Sequence, residues 1–385
     1  MLPIEDLVKV GFTLPSAKSL DAYFRNVGYL TTDRTCVKTG VNIPENGVMV
    51  LDSLSYVDVL KSDSQEFIDV DTAFVQNANT NPNKGNVNNI VVYFADQGTG
   101  ETYADLFDEM CSINANFAQF SIKSREATDI VAVAAKAVSN GKIFIPQTKD
   151  TDVANGSASN IAKTMAGLNN SNTMLVYHGV DTEALGMGLA AITAQGSFGS
   201  VGALYSTVTN VMPQDYTSTV NGNLKNQNCV FYTTTNPVGR GGGIEQYAEA
   251  LVFGSSMING EKAKRRYIRY YFDIVLKQVG VQFLKKKLGY EGSSSAVLES
   301  MLSALLVAGQ TNNLIRKSDF STGKEVKGFE VKVLTPEETR IADINAYNAQ
   351  KYLVKGYYRD VLTGETIDID LTVDPSDIEL AQLGF

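Results

Sequence analysis

The chain contains a single histidine, His178, so any nucleophile that relies on an imidazole base must use it. His178 follows the apolar run MLVY (Met174 to Tyr177), and Asp96 follows the run IVVYFA (Ile90 to Ala95). Open α/β sheets place ligands at the carboxyl ends of their strands. By position alone, Asp96 is thus an orienting acid for His178, and Ser197 or Ser200 a nucleophile. The G-x-S-x-G elbow that exposes such a serine is absent from the sequence. His178 therefore reads as a solvent-facing or locally hydrogen-bonded loop residue, and no catalytic residue is assigned.

The remaining chemistry-bearing patterns are similarly incomplete. GSFGSVG (Gly196 to Gly202) and GRGGG (Gly239 to Gly243) lack the strand-to-helix context of a dinucleotide fingerprint, and no GKS or GKT occurs, so both read as loops. Cys36, Cys111 and Cys229 are far apart and odd in number, which fits a reducing compartment and offers no metal-ligand spacing. From Asp360 onward the chain has seven acids and no Lys or Arg, but its aspartates alternate along a strand instead of converging as a calcium loop requires. Neither a metal nor a cofactor is expected.

One segment runs against the acidic balance. The protein has 385 residues and a formal charge of −9, yet Glu261 to Lys287 carries nine basic residues against two acids. Lys262, Lys264, Arg265, Arg266 and Arg269 open this stretch, and Tyr267, Tyr270 and Tyr271 are interleaved with them. Clustered cations neutralise phosphates and tyrosines stack on bases, so nucleic acid is one reading. The acidic tail, with Asp368 and Asp370, supports a rival reading in which protein meets protein through complementary fields. A negative whole chain disfavours general nucleic-acid binding.

The elements that must position these residues follow from periodicity. Val8, Val10, Phe12 and Leu14 alternate with more polar neighbours, as in a strand. SQEFIDVDTAFV spaces Phe67, Val70, Phe74 and Val75 as a short amphipathic helix, and Asn77 to Asn89 reads as a loop. From Ile90, apolar strands alternate with helices, which implies a parallel sheet covered on both faces. The basic helix has an apolar stripe at Ile268, Tyr271, Phe272, Val275, Val279 and Phe283, so it is expected to bury that face and expose the charged one. AVLESMLSALLVAG is a second helix expected to stop at Gly309, and Thr335-Pro336-Glu337-Glu338 is a helix start. TIDIDLTV places Ile367, Ile369, Leu371 and Val373 on one side of a last strand.

A composition 44% hydrophobic and 19% charged describes a globular protein, and its length calls for more than one domain. The first residues, MLPIEDLVKVGFTLPSAKSL, lack a signal-peptide pattern, and no stretch of about 18 apolar residues stands out, so no membrane span is expected.

This order of parts resembles the sheath proteins of contractile phage tails. The resemblance rests on a terminal β-arm (VKVGFTLPSAKSL), a small helix with paired aromatics (SDSQEFIDVDTAFVQ), a central domain opening with VVYFADQGTGETYADLFDEM, and a closing α/β unit that ends in an alternating strand. It implies an α/β fold. A central subtilisin-like α/β sandwich without its catalytic groups (87–245) would be joined by a smaller assembly domain built from 26–86 and 246–362. Extended β-arms would occupy 1–25 and 363–385. It further implies a non-enzymatic polymer around a tail tube, with baseplate and tail terminator partners, no direct contact with nucleic acid and assembly in a bacterial cytoplasm. Arm exchange would use Val8, Val10, Phe12, Leu14 and the 367–373 alternates, because exposed terminal strands invite β-augmentation. The alternatives are another tail component, a tube or terminator protein, and an α/β hydrolase using His178.

Overall fold

The computed structural model describes residues 20–76, 87–98, 100–194, 198–199, 203–204, 206–235, 249–254, 256–317, 327–360 and 366–373. These fall into two compact units, divided between Arg266 and Tyr267.

The first unit begins with α1 (Leu20–Arg25) and β1 (Val27–Thr31), then β2 (Val48–Leu51), α2 (Tyr56–Val59) and α3 (Gln65–Val75). Ser64 caps α3 by accepting the Phe67 N–H at 3.2 Å, which starts the helix where the sequence placed it. β3 (Ile90–Phe94), α4 (Tyr103–Ile113), β4 (Gln119–Ile122), α5 (Ala127–Ser139) and β5 (Ile143–Phe144) then alternate. Thr102 and Asp105 form a capping box at the start of α4. After β6 (Gln147–Thr148) come α6 (Thr151–Asn155), α7 (Ile161–Gly167), β7 (Val176–Tyr177), α8 (Leu185–Thr193), α9 (Ser218–Asn226), β8 (Val230–Thr235) and β9 (Glu249–Phe253).

The strands order as β2-β3-β1-β4-β5 and β6-β7-β8-β9. All pairings are parallel except β2 with β3 and β8 with β9, so each sheet has one antiparallel strand at an edge. Phe144 bridges to Thr173, which joins the two sheets into one run. The break lies at Pro146, which has no N–H to donate and cuts the strand into the two-residue pieces β5 and β6. Every residue of β1, β3 and β4 is buried, as expected of parallel strands with both faces covered. Phe107 and Phe120 stack at 4.1 Å, and Phe120 and Phe144 at 4.7 Å, across this core.

Three expected boundaries can be set beside the observed elements. β1 lies between β3 and β4 in the central sheet, so 26–86 does not separate from the α/β domain as expected. Leu20–Arg25, assigned to an arm, is helical, with Tyr23 and Phe24 buried and Phe24 stacked on Phe198. The other boundary, expected at 245/246, falls inside α10 (Ala263–Leu284).

The second unit continues from α10 into α11 (Gly292–Thr311), β10 (Phe329–Val333), α12 (Pro336–Ala342), α13 (Ile344–Asn348), β11 (Tyr352–Arg359) and β12 (Thr366–Val373). The three strands form an antiparallel sheet with β11 in the middle. Thr335 and Glu338 make the expected capping box, with Pro336 in the first turn of α12. α11 does not stop at Gly309 but runs on to Thr311. A Cβ on Gly309 would stand 2.7 Å from the Phe272 ring, so this glycine serves helix packing and not a cap.

Candidate functional site

Where an open α/β sheet holds its ligand, this protein has a cleft of about 380 Å³ whose walls include Thr32, Lys123, Arg125, Lys149 and Asp181. These residues follow the carboxyl ends of β1, β4 and β6 or lie in the loop after β7. Beneath them sit two fully buried carboxylates from α3, Glu66 and Asp69, one helical turn apart. Glu66 accepts the Thr31 hydroxyl at 2.6 Å and pairs with Lys123 at 2.8 Å. Lys123 reaches Asp33 as well, at 3.0 Å. Asp69 accepts the Tyr29 hydroxyl at 2.5 Å and the Gln65 amide at 2.8 Å, and pairs with Arg125 at 3.3 Å. Lys149 pairs with Asp181 at 2.6 Å.

The electrostatics follow from these contacts. Burial disfavours charge on Lys123, yet its hydrogen bonds to Glu66 and Asp33 overcome that cost and raise its pKa. The Thr35 hydroxyl lowers the Asp33 carboxyl to about 2, against a smaller burial effect and with help from Lys123. Burial, reinforced by Asp69 and Glu66, raises the Tyr29 phenol well above its ordinary value. Each lysine and arginine of the cleft is thus already paired with a carboxylate of the chain. The arrangement ties α3 to β1, to the start of α5 and to the loop after β1.

His178 lies elsewhere and is not solvent-facing. It is fully buried at the end of β7, with Nε2 2.6 Å from the Glu183 carboxylate, which also accepts the Met212 N–H at 2.9 Å. Burial lowers its pKa, with Glu183 pulling the other way. Its local hydrogen bond was expected; its burial was not. Asp96 does not orient it: that side chain is 87% exposed and pairs with Arg34 at 3.1 Å. Ser197 and Ser200 lie outside the described residues, as does the GRGGG loop. Among the described residues no group of three His, Cys, Asp or Glu side chains could hold a metal ion. Cys36 and Cys229 are buried and their thiols are pushed up to about 12 by burial, as small apolar residues would be.

The basic helix overturns the expectation of an exposed charged face. Lys262 is exposed, whereas Lys264, Arg265 and Arg269 are half-buried and burial lowers the Lys264 pKa. Arg266 is 8% exposed, and its Nε and Nη2 donate to Asn172 Oδ1 at 3.1 and 2.8 Å. Lys277 is fully buried, and Tyr267 and Tyr270 are 1% exposed, so neither tyrosine can stack on a base. The anticipated stripe residues Ile268, Phe272, Val275 and Phe283 are buried, but so are Ile274 and Leu276 between them. α10 is a core helix buried on nearly every side, and only Lys262 and Lys285 to Lys287 are exposed cations.

The arm residues divide. Val8, Val10, Phe12 and Leu14 lie outside the described residues. Ile367, Ile369, Leu371 and Val373 lie in β12, opposite Tyr358, Gly356, Val354 and Tyr352 of β11. Here this strand pairs with β11 of its own chain and forms an edge of that sheet. Asp368 stands opposite Tyr357, and Asp370 opposite Lys355. Sequence reading missed the Glu66, Asp69, Lys123 and Arg125 cluster. The available signal was a pair of acids three apart on a helix whose Val70 and Phe74 face inward.

By sequence the chain matches no protein-family model and no curated protein. By structure it is similar to the sheath tail protein from Desulfitobacterium hafniense, at 9% identity and a TM-score of 0.58, over 94% of this chain and 99% of that one. It is also similar to the helical sheath of the anti-feeding prophage in its contracted state, at 11% identity and a TM-score of 0.56, covering 94% and 92% of the two chains. A chain of the anti-feeding prophage baseplate matches at 12% identity and a TM-score of 0.59, covering 90% and 92%. The chain shares the fold of these contractile-tail proteins over nearly its whole length.

Proposed function

We propose that this protein is a sheath subunit of a contractile tail, which polymerises with copies of itself around a tail tube and shortens to drive the tube forward. The observation that carries the reading is the extent of the fold match, which leaves almost no part of the D. hafniense sheath protein without a counterpart. The cleft supports it from the other side. Its cations are spent on the chain's own carboxylates, an arrangement that stabilises a scaffold and leaves no free charge for a substrate. The central α/β unit then acts as a subtilisin-like scaffold without catalysis, and the protein is not an enzyme.

On this reading β12, at the edge of its sheet, is the surface on which a neighbour's terminal strand adds. The tube, baseplate and tail terminator are the other partners, and the protein belongs to the virion tail assembled in the bacterial cytoplasm. DNA stays inside the tube and out of reach. The test is electron microscopy of the purified protein, alone and with its tail tube. Rings, tubes or a sheathed tube are expected, and a protein that stays monomeric in every condition sinks the proposal.

A further inference from the structure

α11 breaks the rule that a surface helix turns charged residues to water. Its most apolar 18-residue stretch has a mean hydropathy of 1.3, and only a third of that stretch is buried. Such a run meets the length and composition of a membrane span, which the sequence reading did not anticipate because serines and glycines dilute it. One face packs inward through Leu298, Leu302 and Leu306. The single charged residue, Glu299, accepts the Val333 N–H at 2.9 Å and is thereby engaged with β10. The outer face consists of Ala296, Val297, Ser300, Ala304, Val307 and Ala308, all exposed, with Val297 at 37% and Val307 at 51%.

The same unit exposes a second apolar feature of opposite shape. Ile341 at the end of α12 is 79% exposed and Ile344 at the start of α13 is 52% exposed. One surface is long and lined by small side chains, and the other is a pair of bulky ones. Every copy of the chain carries both.

We infer that the outer face of α11 receives Ile341 and Ile344 of a second copy of this chain. Contact between unlike patches is heterologous and does not close on itself, so it propagates from subunit to subunit. Its size fits that use. The face extends about 18 Å along the helix, at 1.5 Å per residue. At a helix width of about 10 Å it covers about 200 Å², against about 800 Å² per partner in a stable dimer. It cannot hold two molecules together alone, but it adds to other contacts repeated through a lattice. The inference rests on the sheath reading and deepens it by naming an interface between subunits.

Val307→Asp and Ile341→Asp each place a charge at an exposed position. Both variants are expected to keep the wild-type circular dichroism spectrum and melting curve while polymer recovered by sedimentation falls at least tenfold. In a second arm, Ala304→Cys and Ile341→Cys proteins are mixed under assembly conditions and treated with a short bismaleimide. The expected product is the mixed 304–341 dimer. Normal polymer from either aspartate variant, or cross-links only of like with like, overturns the interface while leaving the sheath reading intact. Wild-type protein that never polymerises overturns that reading and the inference with it. Flotation of the wild type with phospholipid vesicles, lost in Val307→Asp, assigns the face to a lipid surface and overturns the inference as well.

Discussion

Arg266 grips Asn172 through two hydrogen bonds to one oxygen, from Nε at 3.1 Å and Nη2 at 2.8 Å, across 94 positions of sequence. Asn172 in turn donates to the Lys142 carbonyl at 3.0 Å, so the first turn of α10 is locked to the loops beside β5 and β7. A residue that looked like part of a docking face is a structural bolt.

Charge reversal along this helix should therefore split by burial. Hydrogen bonds to charged groups contribute about 1.5–3 kcal/mol, so Arg266→Ala is expected to lose stability in that range. Lys262→Glu, at an exposed position, should change it by about 0.5 kcal/mol or less. Urea unfolding of the two variants separates them, and equal effects would remove the distinction.

The Asp69–Arg125 pair should behave as a unit. Removing one partner of a buried pair costs about 3–5 kcal/mol, because the other charge is stranded. Arg125→Met is expected to fall in that range, and Arg125→Met with Asp69→Asn should cost less than the two single changes added. A double-mutant cycle by chemical denaturation reads the coupling; strict additivity would show that the two side chains do not interact.

Stability should fall on mild acidification because of His178. Burial holds its pKa below the ordinary 6.5, so below that pH the unfolded chain takes up a proton more readily than the folded one. The stability that neutral His178 contributes is present above pH 6.5 and is lost as pH falls toward the folded value. His178→Gln should flatten the melting-temperature profile between about pH 5 and 7, where an unperturbed histidine titrates. An unchanged slope in the variant would assign the dependence to other groups. Asp33 acts in a lower window: its depressed pKa contributes stability above about 4 that is lost as pH falls toward 2.

Because β12 pairs along the full length of β11, ending the chain after Asp360 should expose the β11 edge. Amide exchange at Tyr352 to Arg359 is expected to speed up markedly, while the β1, β3 and β4 amides keep their protection. Undiminished protection in β11 would mean that this strand does not depend on β12.

Local pattern was legible wherever one element decides the outcome. The alternation in TIDIDLTV, the amphipathic helix in SQEFIDVDTAFV, the Thr335 cap, and the apolar runs of β3, β4 and β8 each depend on residues a few positions apart, and the structure has these elements as read. The α/β character followed for the same reason. The domain boundaries did not, because β1 joins β3 and β4 by pairing across the intervening helices, and nothing within Val27–Thr31 says which strands will flank it.

The fate of each charge was the least legible property. Periodicity assigns a side chain to a face of its helix, and it cannot tell which faces will find a neighbour. α10 has packing on nearly all its faces, so Arg266 and Lys277 went inside, whereas α11, with almost no charge, kept one apolar face outside. Glu66 and Asp69 tolerate burial only because Lys123 and Arg125 reach them from β4's far end, over 50 positions away in sequence. The sequence alone determined which segments become strands and helices, since that depends on neighbours along the chain. Tertiary structure decided which charges serve as ion pairs and which apolar surfaces stay exposed, because desolvation and its compensation depend on groups brought together only by folding.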